Sequence, residues 1–170
     1  ILEGRVKTLH YKIHASILFN REKTNDMKTF ANLKFPKIDF VIVNFYPFSK
    51  IAYNQKKLID EKIEMIDIGG PSMVRSASKN FQYVTTICSK KFYTAFIKQL
   101  NNNKGSTTLQ FRKKMAENNF KITSEYDLNI YNWLTDKTKN LKNKVKIKYG
   151  ENPNQKAYFV GQKKNNIFNS

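Results

Sequence analysis

The residues best suited to chemistry stand in Ile66-Asp67-Ile68-Gly69-Gly70-Pro71, with Lys79 near the far end of the helical pattern that follows. A carboxylate before a Gly-Gly-Pro hinge and an amine near the far end of the following helix together read as a reaction site. Gly69 and Gly70 let a ligand approach the main chain closely. Pro71 suits the first position of a helix, because its missing N–H would have no intrahelical partner there. A helix starting at Pro71 presents free N–H groups and a positive dipole end, which favours an anion over the glycines. Arg5, Lys7 and Thr8 form a second set beside Gly4, where two cations and a hydroxyl make an anion-binding loop. Asn44 and Tyr46 form a third set at the end of an apolar run. His10 and His14 have the spacing of a helical metal pair. No third ligand accompanies them, so they read as structural or substrate-facing and no metal is expected. Cys88 closes the run Val84-Thr85-Thr86-Ile87 and reads as a buried strand cysteine rather than a nucleophile.

The elements that must position these groups can be read in order. A polar segment predicts a helix from about Asn25 to Leu33, ending near Pro36. Ile38 to Phe45 is β-branched and apolar on both faces apart from Asp39, which predicts a central parallel strand. Ligands of open parallel sheets sit beyond the carboxyl ends of strands, where Asn44 and Tyr46 fall. Ile51 to Met65 predicts one helix with Leu58, Ile59, Ile63 and Ile66 turned inward. After the hinge come a strand at Tyr83–Ile87 and helices at Lys91–Leu100, Leu109–Phe120 and Ser124–Leu134, the last bearing Tyr126 and Trp133. Alternating strands and helices imply an α/β sheet. Lysine-rich residues 135–146 read as a linker or boundary.

Composition narrows the classes. The chain has 170 residues, 40% of them hydrophobic, enough for one core and part of another domain. No run approaches the roughly 20 apolar residues of a membrane span. The start does not read as a secretory signal, since Arg5, Lys7 and His10 interrupt it. A single cysteine fits a reducing cytosol. The formal charge of +18 invites a nucleic-acid reading. However, only Arg5, Arg21, Arg75 and Arg112 are arginine, and the lysines are scattered among asparagines. Arginine is the residue favoured for bidentate phosphate and base contacts, so no nucleic-acid partner is expected.

In order along the chain stand Gly4-Arg5-Val6-Lys7-Thr8-Leu9-His10, Asn44-Phe45-Tyr46-Pro47-Phe48, Ile66-Asp67-Ile68-Gly69-Gly70-Pro71, Lys79-Asn80, Tyr126-Asp127 and Tyr149-Gly150-Glu151-Asn152-Pro153. With these motifs the chain resembles the bifunctional purine biosynthesis family, which joins an IMP cyclohydrolase to an AICAR formyltransferase. The resemblance implies a methylglyoxal-synthase-like parallel sheet with flanking helices over residues 1–140, lacking its first strands and their phosphate-holding loops. It implies that residues 141–170 begin the formyltransferase domain. Departures from the family pattern are Tyr11 for proline, Ala15-Ser16 for two glycines, Lys148 for arginine and Asn154 for histidine. Lysine cannot reproduce the planar fork of arginine at position 148.

The implied reaction is closure of formyl-AICAR to IMP with loss of water. Lys7 and the backbone around Thr8 are then candidates to hold the oxygen that gains charge. Tyr46 and Asp67 would form a relay, and Lys79 the acid/base. Arg5, Val6, Thr8, Asn44, Ile68 and Gly69 would bind substrate at this site, and Lys148 and Tyr149 at the second. Cyclisation needs no cofactor, whereas formyl transfer takes 10-formyltetrahydrofolate. A cytoplasmic homodimer is implied for the full-length protein. The isolated chain is expected to turn over neither substrate.

Overall fold

A short parallel ladder carries the fold. In the computed structural model, which describes Leu2, residues 5–135 and the backbones of two later strands, β1 (Phe40–Ile42) pairs with β2 (Thr85–Ile87). Phe40 stands opposite Thr85, Val41 opposite Thr86 and Ile42 opposite Ile87. Bonds from Thr85 N to Asp39 O (2.9 Å) and Val43 N to Ile87 O (3.0 Å) extend the pairing at either end.

Before β1 lie α1 (Tyr11–Leu18) and α2 (Thr24–Leu33). Between the strands lie α3 (Phe48–Ala52), α4 (Ile59–Ile63) and α5 (Gly69–Lys79). A 3-10 turn at Lys90–Phe92 leads to α6 (Tyr93–Asn102) and α7 (Leu109–Leu134). The pleat sends alternate residues to opposite sides of the ladder. Val41 packs with Ile17 of α1, Ala77 of α5 and Val84 on one side. Ile87 packs with Phe96 of α6 and Met115 of α7 on the other. Each fully buried aliphatic side chain contributes about 1.5–3 kcal/mol. Helices on both faces of a parallel pair make this an α/β unit.

Several expectations need correction. β1 is shorter than predicted, and it is not apolar-buried on both faces, because Phe40 and Ile42 are 39% and 50% exposed. Two helices replace the one expected over 51–65. Asn54 Oδ1 accepts from Lys56 N at 2.9 Å and turns the chain after α3. Glu61 Oε2 then accepts from Leu58 N at 2.9 Å and starts α4. Leu58, Ile59 and Ile63 consequently face outward and are exposed. α5 begins at Gly69, two residues before Pro71. Pro71 is still within the first turn, where its missing N–H costs nothing. α7 is one helix of 26 residues rather than two.

The chain divides into two compact units, Ile1–Asp127 and Leu128–Ser170. The first holds the α/β layers. The second holds the antiparallel pair β3 (Lys144–Ile147) and β4 (Ala157–Val160), with Lys144 opposite Val160. No helix of the described residues is long and apolar enough to cross a membrane.

Candidate active site

Asp67 is half-buried immediately before α5 and is held at both backbone and side chain. Its N–H donates to the phenol oxygen of Tyr126 at 2.8 Å. Its Oδ1 accepts from Gly70 N at 2.8 Å, and its Oδ2 from Tyr46 N at 3.4 Å. The anion that the hinge was predicted to attract is therefore first of all the chain's own carboxylate. A Cβ on Gly70 would stand 2.5 Å from Asp67 Oδ2, so glycine is required for the carboxylate to sit here. A Cβ on Gly69 would collide with the hydroxyl of Thr8. That close approach brings the N-terminal loop over the hinge.

Around this centre is a cavity of about 670 Å³. Arg5, Lys7 and Thr8 reach it from the N-terminal loop. Asn44 and Tyr46 reach it from beyond the carboxyl end of β1. Asp67, Ile68 and Gly69 supply the hinge side. Asn44 is fixed by donating Nδ2–H to Tyr93 Oη at 2.9 Å, at the first residue of α6. Arg5 forms an ion pair with Glu64, its Nε lying 3.3 Å from Oε2. Arg5's hydrogen bond holds the Glu64 carboxyl below the usual carboxylate range. Lys7 is exposed and has no ion pair among the described residues.

Three predicted placements differ. Val6 does not line the cavity. The expected Tyr46–Asp67 relay through the phenol is not formed, since Asp67 meets the backbone N–H of Tyr46 instead. Lys79 does not join Asp67 within one chain. It ends α5, about 15 Å along the axis from Gly69 at 1.5 Å per residue. There it lines a separate cavity of about 580 Å³ with Arg75, Lys113 and Glu117. Lys148 and Tyr149 lie outside the described residues.

The histidines have local roles. His10 caps α1, its Nδ1 accepting from Lys12 N at 3.1 Å, and His14 Nδ1 lies 3.0 Å from Ser76 Oγ. Among the described residues, no group of three or more His, Cys, Asp or Glu could hold a metal ion. Cys88 is buried as expected, its thiol donating to Asn119 Oδ1 at 2.8 Å, and burial pushes its pKa up to about 11. Ala15 and Ser16 lie within regular α1, and Ser16 is fully buried. Sequence reasoning gave no role to Tyr126, Glu64 or Tyr93. The signal for Tyr126 was its place in the Tyr126-Asp127 motif on a predicted helix, which carried no role by itself.

Layered helices on a parallel ladder, with polar groups gathered around a cavity beyond the carboxyl end of β1, define an α/β protein. The profile of the AICARFT/IMPCHase bienzyme family matches residues 77–170. A bifunctional purine biosynthesis protein PurH from Trichormus variabilis is 39% identical over 160 residues, covering 92% of this chain and 32% of that protein. A PurH from Lactobacillus acidophilus is 42% identical over 167 residues, covering 93% of this chain and 32% of that protein. The crystal structure of ForH superposes with a TM-score of 0.68 at 31% identity, covering 79% of this chain and 69% of that one. The chain belongs to the AICARFT/IMPCHase bienzyme family. It spans about a third of the length of the curated relatives it matches.

Proposed function

We propose that this chain is the cyclohydrolase portion of a bifunctional enzyme of de novo purine biosynthesis, closing formyl-AICAR to IMP. The observation that carries the reading is the single cavity uniting Lys7, Thr8, Asn44, Tyr46 and Asp67, in a chain of this family. In the reaction the carboxamide nitrogen bonds to the formyl carbon, and the formyl oxygen leaves as water. An amide N–H is a very weak acid, so the site must first align nitrogen and carbon. Such alignment is worth about 7–11 kcal/mol. Asn44, fixed by Tyr93, and the Ile68–Gly69 backbone supply the polar groups that hold the heterocycle. The Lys7 ammonium and the Thr8 hydroxyl stabilise the formyl oxygen as it gains charge. Asp67, its carboxylate fixed by two backbone N–H groups, accepts a hydrogen bond from the attacking carboxamide and orients it. Lys79, at the far end of α5, is left out of this constellation.

The parallel pair with helices on both faces supports a methylglyoxal-synthase-like sheet. The two compact units support a domain change in the region of 128–141, with the formyltransferase domain beginning in residues 141–170. In the complete protein that domain would transfer a formyl group from 10-formyltetrahydrofolate to AICAR. A cytoplasmic homodimer, with nucleotide as the binding partner, completes the reading. The test is absorbance-monitored IMP formation from formyl-AICAR by the full-length protein carrying this segment. Turnover should fall at least about 10²-fold in Asp67→Asn. Undiminished turnover in that variant would overturn the assignment of this cavity.

A further inference from the structure

We infer that Tyr126 is a positioning residue for cyclisation, acting through Asp67; the inference rests on the proposed function. Tyr126 sits on α7, 59 residues along the chain from Asp67, and is 8% exposed. Its ring packs against Phe45 and Phe48, with centroids 5.2 and 6.3 Å away. Those contacts aim the hydroxyl at the turn before α5. There it accepts from Asp67 N at 2.8 Å and donates to Met65 O at 3.2 Å. One phenol thereby satisfies a donor and an acceptor two residues apart, in a stretch with neither helical nor strand pairing.

The consequence is geometric. Residues 64–68 link α4 to α5, and 66–68 lack a ladder to fix their backbone. With the Asp67 N–H pinned from α7, its carboxylate stays within reach of Gly70 N and Tyr46 N. Burial raises the pKa of Tyr126, so the phenol keeps the proton it donates to Met65 O across the neutral range. Tyr126 does not line the cavity, so it acts on the reaction only through the carboxylate it holds.

Tyr126→Phe keeps the ring and removes the tie. In the full-length protein carrying this segment we expect kcat for formyl-AICAR to fall about tenfold, with KM changed less than about twofold. The melting temperature should fall by no more than about 5 °C. Hydrogen–deuterium exchange of the peptide spanning Met65–Gly70 should quicken about tenfold, with peptides of α7 unchanged. A parental kcat in Tyr126→Phe would overturn the inference alone. So would a fall in kcat with unchanged exchange at Met65–Gly70, or a collapse of the melting temperature, since either would make Tyr126 a general stabilising residue. If the parent protein fails to turn over formyl-AICAR, the proposed function falls and this inference with it.

Discussion

Gly70→Ala adds one methyl group at the second residue of α5 and tests whether the position of Asp67 matters. The new Cβ would lie 2.5 Å from Asp67 Oδ2, 3.0 Å from Cγ and 3.1 Å from Oδ1. Ordinary contact begins at 3.4 Å, so the carboxylate must retreat by roughly 0.9 Å. That movement breaks the bond from Gly70 N and the longer one from Tyr46 N. Each hydrogen bond to a charged group is worth about 1.5–3 kcal/mol, the bond from Tyr46 N is long, and water that reaches this half-buried carboxylate replaces most of what is lost. Alanine in a helix gains back up to about 1 kcal/mol over glycine. Stability should therefore change by less than about 2 kcal/mol. Catalysis is the more sensitive quantity, because a displacement near 1 Å can cost about 10²-fold. The expected outcome is a kcat lowered about 10²-fold in a folded full-length protein, measured as IMP formation beside a urea unfolding curve. A parental kcat in a folded Gly70→Ala protein would refute the reasoning that this carboxylate must be held where it is.

Two further outcomes follow from the buried interior. Asn119 donates to Thr86 O at 2.9 Å and Ser78 Oγ at 3.2 Å while accepting from Cys88, so Asn119→Ala should cost about 2–4 kcal/mol by urea denaturation. Cys88 should resist thiol reagents in the native state at pH 8 and label fully in denaturant. Its raised pKa favours the neutral thiol in the fold, so its stabilising share is complete below its ordinary value of 9.0 and is lost as pH rises towards about 11. Comparing the parent's urea midpoints with those of Cys88→Ala from pH 8 to 11 reads that share directly.

The hinge, α2, β2 and α6 are legible in the sequence because each follows local pattern or turn chemistry. The unity of α7 is not. Its buried residues Met115, Ala116, Asn119, Thr123 and Tyr126 recur at helical spacing, but two of them are polar and so the apolar stripe is interrupted. Thr123 and Ser124 resemble a break, yet their hydroxyls bond back to Phe120 O and Lys121 O at 3.0 and 2.9 Å within the helix. The apolar spacing of Leu58, Ile59 and Ile63 misleads in the opposite direction, because the Asn54 turn rotates them outward. At the site, residue types were legible and distances were not. Lys79 follows Asp67 by twelve positions, and only the straight run of α5 shows that those positions carry it to the other end of the helix.

The tie from Tyr126 to Asp67 also sets an order of events during synthesis. The hinge leaves the ribosome 59 residues before the phenol that fixes it. At about 5–20 residues per second, the delay is roughly 3–12 s. Through that interval the glycine turn has no anchor on α7, and a nascent chain released before residue 126 carries the Asp67 carboxylate without the phenol that holds its backbone. The arrangement is thus completed only when its C-terminal contributor has emerged. A truncated translation product would keep the motif and lack the alignment.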